Sequence, residues 1–475
     1  MRRRARLTAA VSAACAAVLI AAVPSAATGG ATGLRNGIRS GVGAYEPDPY
    51  FPLAGNPGYD VQHYDLDLDF TPATHALVAQ ATITARAEDD LPRFTLDYSG
   101  PAIERIQVDG RPAAFRQDGQ ELTVVPHDPL ARGREFTVRV DYRGTPGPLD
   151  DPALGVYGWI NTDDGAVALN EPDGARTWYP VNDDIRDKAT YTFRITVPEG
   201  VTALANGERQ SERRAAGRTT ATWAMNRPMS SYLAMVAIGK FRVDRGTVGG
   251  IPDITAVDPA GDGNLAALQT GTAAAVAFGE RHFGRYPFGS VGGIVDRIGV
   301  DYALETQSRP VYDGRPDELT MVHEIAHQWY GDSVTPTTWR DIWLNEGFAT
   351  YAEWLWQEEH GGPTAAETFD RLYATPAGDP FWELRTADPG RDDIFDYEAV
   401  YLRGAMFLQE LRRTLGDPAF FELLHTWAER HRYGSVATCD LRQDAERIAG
   451  RDLGPLFHTW LYTETKPALT ALAPH

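Results

Sequence analysis

The sequence predicts a multidomain chain, β then α/β, in which an antiparallel β domain precedes a mainly helical domain. Two observations carry this prediction. From Tyr64 onward Tyr64, Leu66, Leu68 and Phe70 alternate with Asp65, Asp67 and Asp69, the period-two pattern of a strand with one buried face. From Asn264 the pattern lengthens into helical runs at roughly 264–284, 317–330, 342–359, 398–415, 418–431 and 440–449. A length of 475 residues is enough for two or three domains, each with its own core.

Taken in order, residues 1–27 begin with Arg2, Arg3, Arg4 and Arg6, run on through apolar Leu7 to Val23, and close on Ser25-Ala26-Ala27. A basic start, a short apolar stretch and small residues before a cut describe a secretory signal peptide. The stretch is too short and wrongly flanked for a stable span, with an uncleaved anchor as the alternative. Residues 28–58 are rich in Gly, Pro and Ala and read as a linker. Residues 59–245 form the β domain, with further strands at Ala81–Ala85, Phe136–Val140 and Tyr191–Val197. The pairs Asp109-Gly110, Asp118-Gly119 and Asn206-Gly207 punctuate them as turns. Residues 246–475 form the helical domain. No later stretch is long and apolar enough to cross a bilayer, and there is no internal repeat and no phosphate-binding glycine loop.

Composition narrows the function. Acidic residues outnumber basic ones by 65 to 45, a formal charge of −20 that becomes −24 (−20 − 4) without the signal arginines. Such acidity argues against nucleic acid or anionic membrane as partner. Beyond Cys15, inside the signal, only Cys439 remains, so no intramolecular disulfide can form. Lysine is confined to Lys188, Lys240 and Lys466 while arginine, alanine and glycine abound. This usage suits a GC-rich bacterial genome. The expected location is therefore outside a bacterial cell.

The chemistry concentrates in His323-Glu324-Ile325-Ala326-His327, followed by Glu346 with eighteen residues between. Histidines four apart project from one face of a helix and can reach one metal ion. Asp317 and Gly331 supply the start and stop signals of that helix. Glu324 is placed as general base on a metal-bound water, and Glu346 adds an anionic third ligand. Two histidines and a carboxylate leave the fourth position of a tetrahedral zinc open. Glu353, seven residues past Glu346, either supports a ligand imidazole from behind or is a plain surface glutamate. Tyr401 is either a neutral donor to an oxyanion or an ordinary helix tyrosine packed with Leu408.

The run Val322-His323-Glu324-Ile325-Ala326-His327-Gln328-Trp329-Tyr330-Gly331-Asp332, with Trp339 and Trp343-Leu344-Asn345-Glu346-Gly347, resembles the gluzincin aminopeptidases related to aminopeptidase N. Further landmarks are Glu171-Pro172-Asp173-Gly174-Ala175, Asp187-Lys188-Ala189-Thr190-Tyr191 and Tyr401-Leu402-Arg403-Gly404. The resemblance implies one zinc per chain and a thermolysin-like catalytic domain. It also implies a short form without the helical C-terminal domain of larger relatives, and so a more open cleft. Tyr302-Ala303-Leu304-Glu305-Thr306 resembles the exopeptidase motif Gly-Ala-Met-Glu-Asn, which implies that Glu305 binds the substrate's free α-amine. Glu171 falls where the family places a second residue at that amine, and Tyr401 where it places the oxyanion donor. Tyr302, Thr306 and Arg403 depart from the family's glycine, asparagine and lysine. The implied activity is removal of N-terminal residues from peptides with a free N-terminus. A zinc endopeptidase shares the metal site without needing Glu171 and Glu305, and a non-catalytic peptide- or glycan-binding protein is the third reading.

Overall fold

Strand Tyr59–Thr71, which carries the Tyr64–Phe70 alternation, runs through the middle of an eight-stranded sheet. The chain is described by a computed structural model that covers residues 45–469. The expected signal peptide, residues 28–44 of the expected linker and residues 470–475 lie outside the described residues. Strand Ala76–Ala87 folds back beside Tyr59–Thr71, and Glu135–Gly144 follows it, each pair antiparallel. Apolar side chains alternate inward along all three, as the period-two pattern requires. On its other edge Tyr59–Thr71 pairs with Ala189–Pro198, and that pairing is parallel. The sheet is mixed at this one pairing, and the other described pairings of the domain are antiparallel, as the sequence suggests. These two strands lie more than a hundred residues apart in the chain, so no hairpin forces their directions to oppose.

A second, five-stranded sheet contains Gly155–Asn161, Ala166–Leu169 and Val236–Gly239. Its strand Ala166–Leu169 leads directly into Glu171. The turn at Asn206-Gly207 needs its glycine: φ is 77°, and a Cβ there would sit 2.1 Å from the Ala224 carbonyl oxygen.

Strand Arg242–Val248 pairs with Ile251–Val257, and Val291–Asp296, Val311–Asp313 and Ala303–Leu304 complete a mixed sheet. The expected division after residue 245 falls inside Arg242–Val248. The change from one sheet to the next comes just before that strand, after Gly239. Eight α-helices are described: α1 (Leu265–Phe283), α2 (Glu318–Ala326), α3 (Trp343–Glu359), α4 (Ala365–Tyr373), α5 (Arg403–Leu415), α6 (Asp417–Arg430), α7 (Thr438–Ala449) and α8 (Gly454–Leu461). None of the described helices is long and apolar enough to cross a membrane.

Two further expectations are corrected. Residues 46–58 are packed instead of forming a free linker: Phe51 and Ala54 are buried, and the Asp48 carboxylate accepts the Trp339 N–H at 2.8 Å. Nor do the halves hold separate main cores, because one continuous apolar cluster reaches from Phe51 to Leu461. It is heavy in tryptophan, with Trp159, Trp223, Trp329, Trp343 and Trp460 nearly inaccessible to solvent.

Candidate active site

Helix α2 starts where Asp317 accepts the Thr320 N–H at 2.8 Å and ends four residues earlier than its sequence pattern suggests. The His327 N–H still bonds to the His323 carbonyl, but Gln328 and Trp329 tighten to the carbonyls of Ile325 and Ala326. The turn then closes at Gly331, φ 129°, where a Cβ would press on the Asn345 side chain at 3.2 Å. His323 thus lies within the helix and His327 at its cap. Glu346 lies in the first turn of α3.

These three side chains are buried together. His323 Nε2 is 3.2 Å from Glu346 Oε2, and His327 Nε2 is 3.5 Å from the same oxygen. Behind them His323 Nδ1–H donates to Glu353 Oε1 at 2.7 Å, and His327 Nδ1–H donates to the Tyr330 carbonyl at 3.1 Å. Both imidazoles therefore turn Nε2 toward one point with the tautomer fixed from behind. Two ligands each about 2.0–2.1 Å from a tetrahedral zinc stand about 3.3 Å apart, so the observed separations fit zinc. Burial works against ionisation of Glu346, yet the two imidazoles prevail and hold its pKa at about 2. Burial likewise opposes the proton on His327, but the charges of Glu346 and Glu305 keep its pKa up at about 9.

Glu324 points into the same space and shares a cluster with Glu305 and His327. Burial, partly offset by the histidines, pushes its pKa up to about 8. The Glu353 expectation resolves toward support of the His323 ring, not toward a free surface carboxylate.

Tyr401 belongs to a π-helical stretch, Tyr397–Leu402, just before α5, the kind of local irregularity that re-aims a side chain. Its ring stacks on His323 with centroids 5.9 Å apart. The approach depends on Gly347 and Gly404, where α3 and α5 touch backbone to backbone. A Cβ on Gly404 would lie 2.8 Å from the Gly347 Cα. Arg403, where the resembling family has lysine, faces away from the metal side. It donates to the carbonyls of Leu384 and Thr463, with its guanidinium 5.5 Å from the centre of the Trp382 ring.

Glu305 follows the edge strand Ala303–Leu304, and Glu171 comes across from the β half. Acid oxygens of Glu171, Glu305 and Glu346 all fall within 4.8 Å of one another. One oxygen of Glu171 and one of Glu305 are buried without a hydrogen-bond partner. Burial first, and then the Glu305 charge, raise the Glu171 pKa. The other departures have structural partners. The Tyr302 hydroxyl donates to the Val156 carbonyl at 2.8 Å, and the Thr306 hydroxyl to the Arg309 carbonyl at 2.6 Å. Gln328, beside His327, has no role in the sequence reading beyond its place in the resembling run. Its amide nitrogen donates to the Glu305 carbonyl at 2.9 Å and its oxygen accepts the Ser308 N–H at 2.7 Å, tying the Glu305 loop to the metal helix.

A β half, a helical half and a buried His-His-Glu group beside Glu324 and Tyr401 make up the fold and metal centre of a two-domain zinc metallopeptidase. The model of the peptidase M1 N-terminal domain matches residues 60–233, and that of the peptidase family M1 domain matches residues 303–460. The chain belongs to peptidase family M1, and its cofactor is zinc. The M1 zinc metallopeptidase of Deinococcus radiodurans is 32% identical, with a TM-score of 0.81 over 90% of this chain and 99% of that one. A glutamate-to-alanine variant of the Deinococcus enzyme, solved with the substrate Tyr-Ser-Ala, is 31% identical with a TM-score of 0.80, covering 89% of this chain and 98% of that one. Among curated relatives, aminopeptidase N of Lactobacillus delbrueckii subsp. lactis is 26% identical over 86% of this chain and 51% of its own length. Aminopeptidase N of Lactococcus lactis subsp. lactis is 25% identical over 86% and 52%. The chain thus spans about half the length of the curated relatives it matches.

Proposed function

We propose that this chain is a secreted zinc aminopeptidase that removes N-terminal residues from peptides. The observation that carries this reading is the pair of buried, unpartnered carboxylate oxygens on Glu171 and Glu305 beside the metal ligand Glu346. Buried carboxylates need cationic partners, and a substrate α-ammonium supplies three N–H donors within one residue of the scissile bond. The ligands His323, His327 and Glu346 would hold the zinc, which supplies Lewis acidity toward the scissile carbonyl and toward a water. Glu324 accepts the proton of the attacking water and passes it to the departing amine, the task of a buried carboxylate within reach of both. The Tyr401 hydroxyl, whose own pKa burial raises, stays protonated and donates to the oxygen that becomes negative. Glu171 and Glu305 orient the amine so that only the first peptide bond reaches Glu324.

The solved peptide complex of the Deinococcus variant and the names of the curated aminopeptidases support peptides as the substrate class. Secretion rests on the first 27 residues, and N-terminal sequencing of protein recovered from the culture medium tests it. Activity is tested with aminoacyl-anilides and their N-acetylated counterparts, with and without chelator. Turnover of the free-amine series that chelator abolishes is the expected result. Equal turnover of the acetylated series would exclude the aminopeptidase reading.

A further inference from the structure

Lys188 stands at the entry to strand Ala189–Pro198 in the β half. Its ammonium donates to the carbonyls of Asp332 at 3.1 Å, Ser333 at 3.1 Å and Gly434 at 3.0 Å. An ammonium has three N–H bonds, and all three are used on backbone oxygens of the helical half. Two of those oxygens belong to consecutive residues of the turn that leaves His327. The Asp332 N–H bonds to the His327 carbonyl at 3.0 Å, and the His327 ring bonds to the Tyr330 carbonyl within the same turn. The Ser333 N–H closes on the Gln328 carbonyl at 3.3 Å. The third oxygen, that of Gly434, also accepts the Thr335 N–H at 3.1 Å, so the far side of the turn is tied to the same point. His323 and Glu346 take their poses from regular helix. His327 sits at a helix end, and its pose depends on this turn.

We propose that Lys188 is a positioning residue for the metal centre, pinning the 328–334 turn to the β half and thereby holding His327 in its metal-binding pose. A neutral side chain cannot bridge three carbonyls, whose remaining lone pairs are oriented toward a single cation. Burial pulls the lysine pKa down to about 7, which the Asp332 charge opposes. A chain that keeps only three lysines places one of them here.

The test compares the full-length parent with Lys188→Met, which keeps the length of the stem, and Lys188→Gln, which keeps two donors. Val124→Ala, in the small sheet of Phe94–Asp97, Ala114–Asp118 and Glu121–Val125, serves as a general destabilisation control. Release of zinc to excess chelator is expected to speed up on the order of 10-fold in Lys188→Met, as for loss of an outer partner of a ligand. kcat is expected to fall by about the same factor while KM stays within about twofold. The visible absorption of the cobalt-substituted protein should shift in both lysine variants, less in Lys188→Gln, and stay unchanged in Val124→Ala. The inference rests on the zinc centre and not on the substrate class. A chain inactive on anilides whose zinc release still responds would sink the aminopeptidase reading and leave this one standing. A lower melting temperature with parental zinc release, cobalt spectrum and kcat overturns the proposal. So does failure of both lysine variants to fold, since the role would then be structural.

Discussion

Glu353 lies outside the zinc ligands, yet its removal should weaken metal binding measurably. Its carboxylate accepts the His323 Nδ1–H at 2.7 Å with side chains 22% and 11% exposed, a short and mostly dry charge-assisted contact. It fixes the tautomer that presents Nε2 to the metal and makes that nitrogen a better donor. Partners of this kind contribute about 10–100-fold in metal affinity, or about 1.4–2.8 kcal/mol. Glu353→Gln keeps an acceptor oxygen in place and removes only the charge, so it should fall near the lower figure. Glu353→Ala removes both and should approach the upper one. Zinc affinity is measured by competition with a chelating dye, at a pH where His323 is neutral in the loaded protein. Parental affinity in both variants, within about twofold, would refute the reasoning that this contact tunes the ligand.

Three further outcomes are expected. Glu324→Gln should retain zinc by metal analysis while turnover falls by several orders of magnitude, since an amide cannot accept the proton of the water; parental activity would remove Glu324 from its role. Tyr401→Phe should lose on the order of 100-fold in kcat with a smaller change in KM, because a donor to the developing oxyanion acts in the transition state; steady-state kinetics decide. The metal-free protein should draw less stability from His327 as pH rises. The pKa of His327 is raised to about 9 in the folded state, above its unfolded value of about 6.5, so its contribution is full below about pH 6.5 and disappears as pH climbs through about 9. Melting curves of the chelator-treated parent and His327→Ala across that window check the sign, and a difference between them that grows as pH rises would contradict it.

Much of this was legible in the residues because the signals are local. The Tyr64–Phe70 alternation marked its strand, and the spacing of His323, His327 and Glu346 marked the metal ligands before any geometry was known. What escaped was either pairing between distant segments or detail at element ends. Nothing in Tyr59–Thr71 announces a parallel partner at Ala189–Pro198. Helix α4 was missed although Thr364 and Glu367 form a reciprocal capping box; its apolar stripe is thin, with only Ala365, Thr368 and Phe369 buried. Helix α8 is only eight residues long, too short for a clear period. Gly347 and Gly404 read as ordinary glycines until the helices that carry them are seen to touch. Lys188 read as part of a family landmark, and only the fold brings the carbonyls of Asp332 and Gly434 to it.

The central claim is that the buried acids beside the metal recognise a free amine and so confine cleavage to the first bond. One peptide, prepared both free and N-acetylated, is incubated with the zinc-loaded protein and its products are mapped over time by mass spectrometry. With both carboxylates facing a cation, the free peptide should shorten by single residues from its N-terminus. The acetylated peptide should persist, and Glu305→Ala should slow trimming by about 2–4 kcal/mol in kcat/KM, the cost of an underpaired buried charge. Internal cuts in the acetylated peptide, at the rate at which the free one is trimmed, would contradict the account and make the protein an endopeptidase.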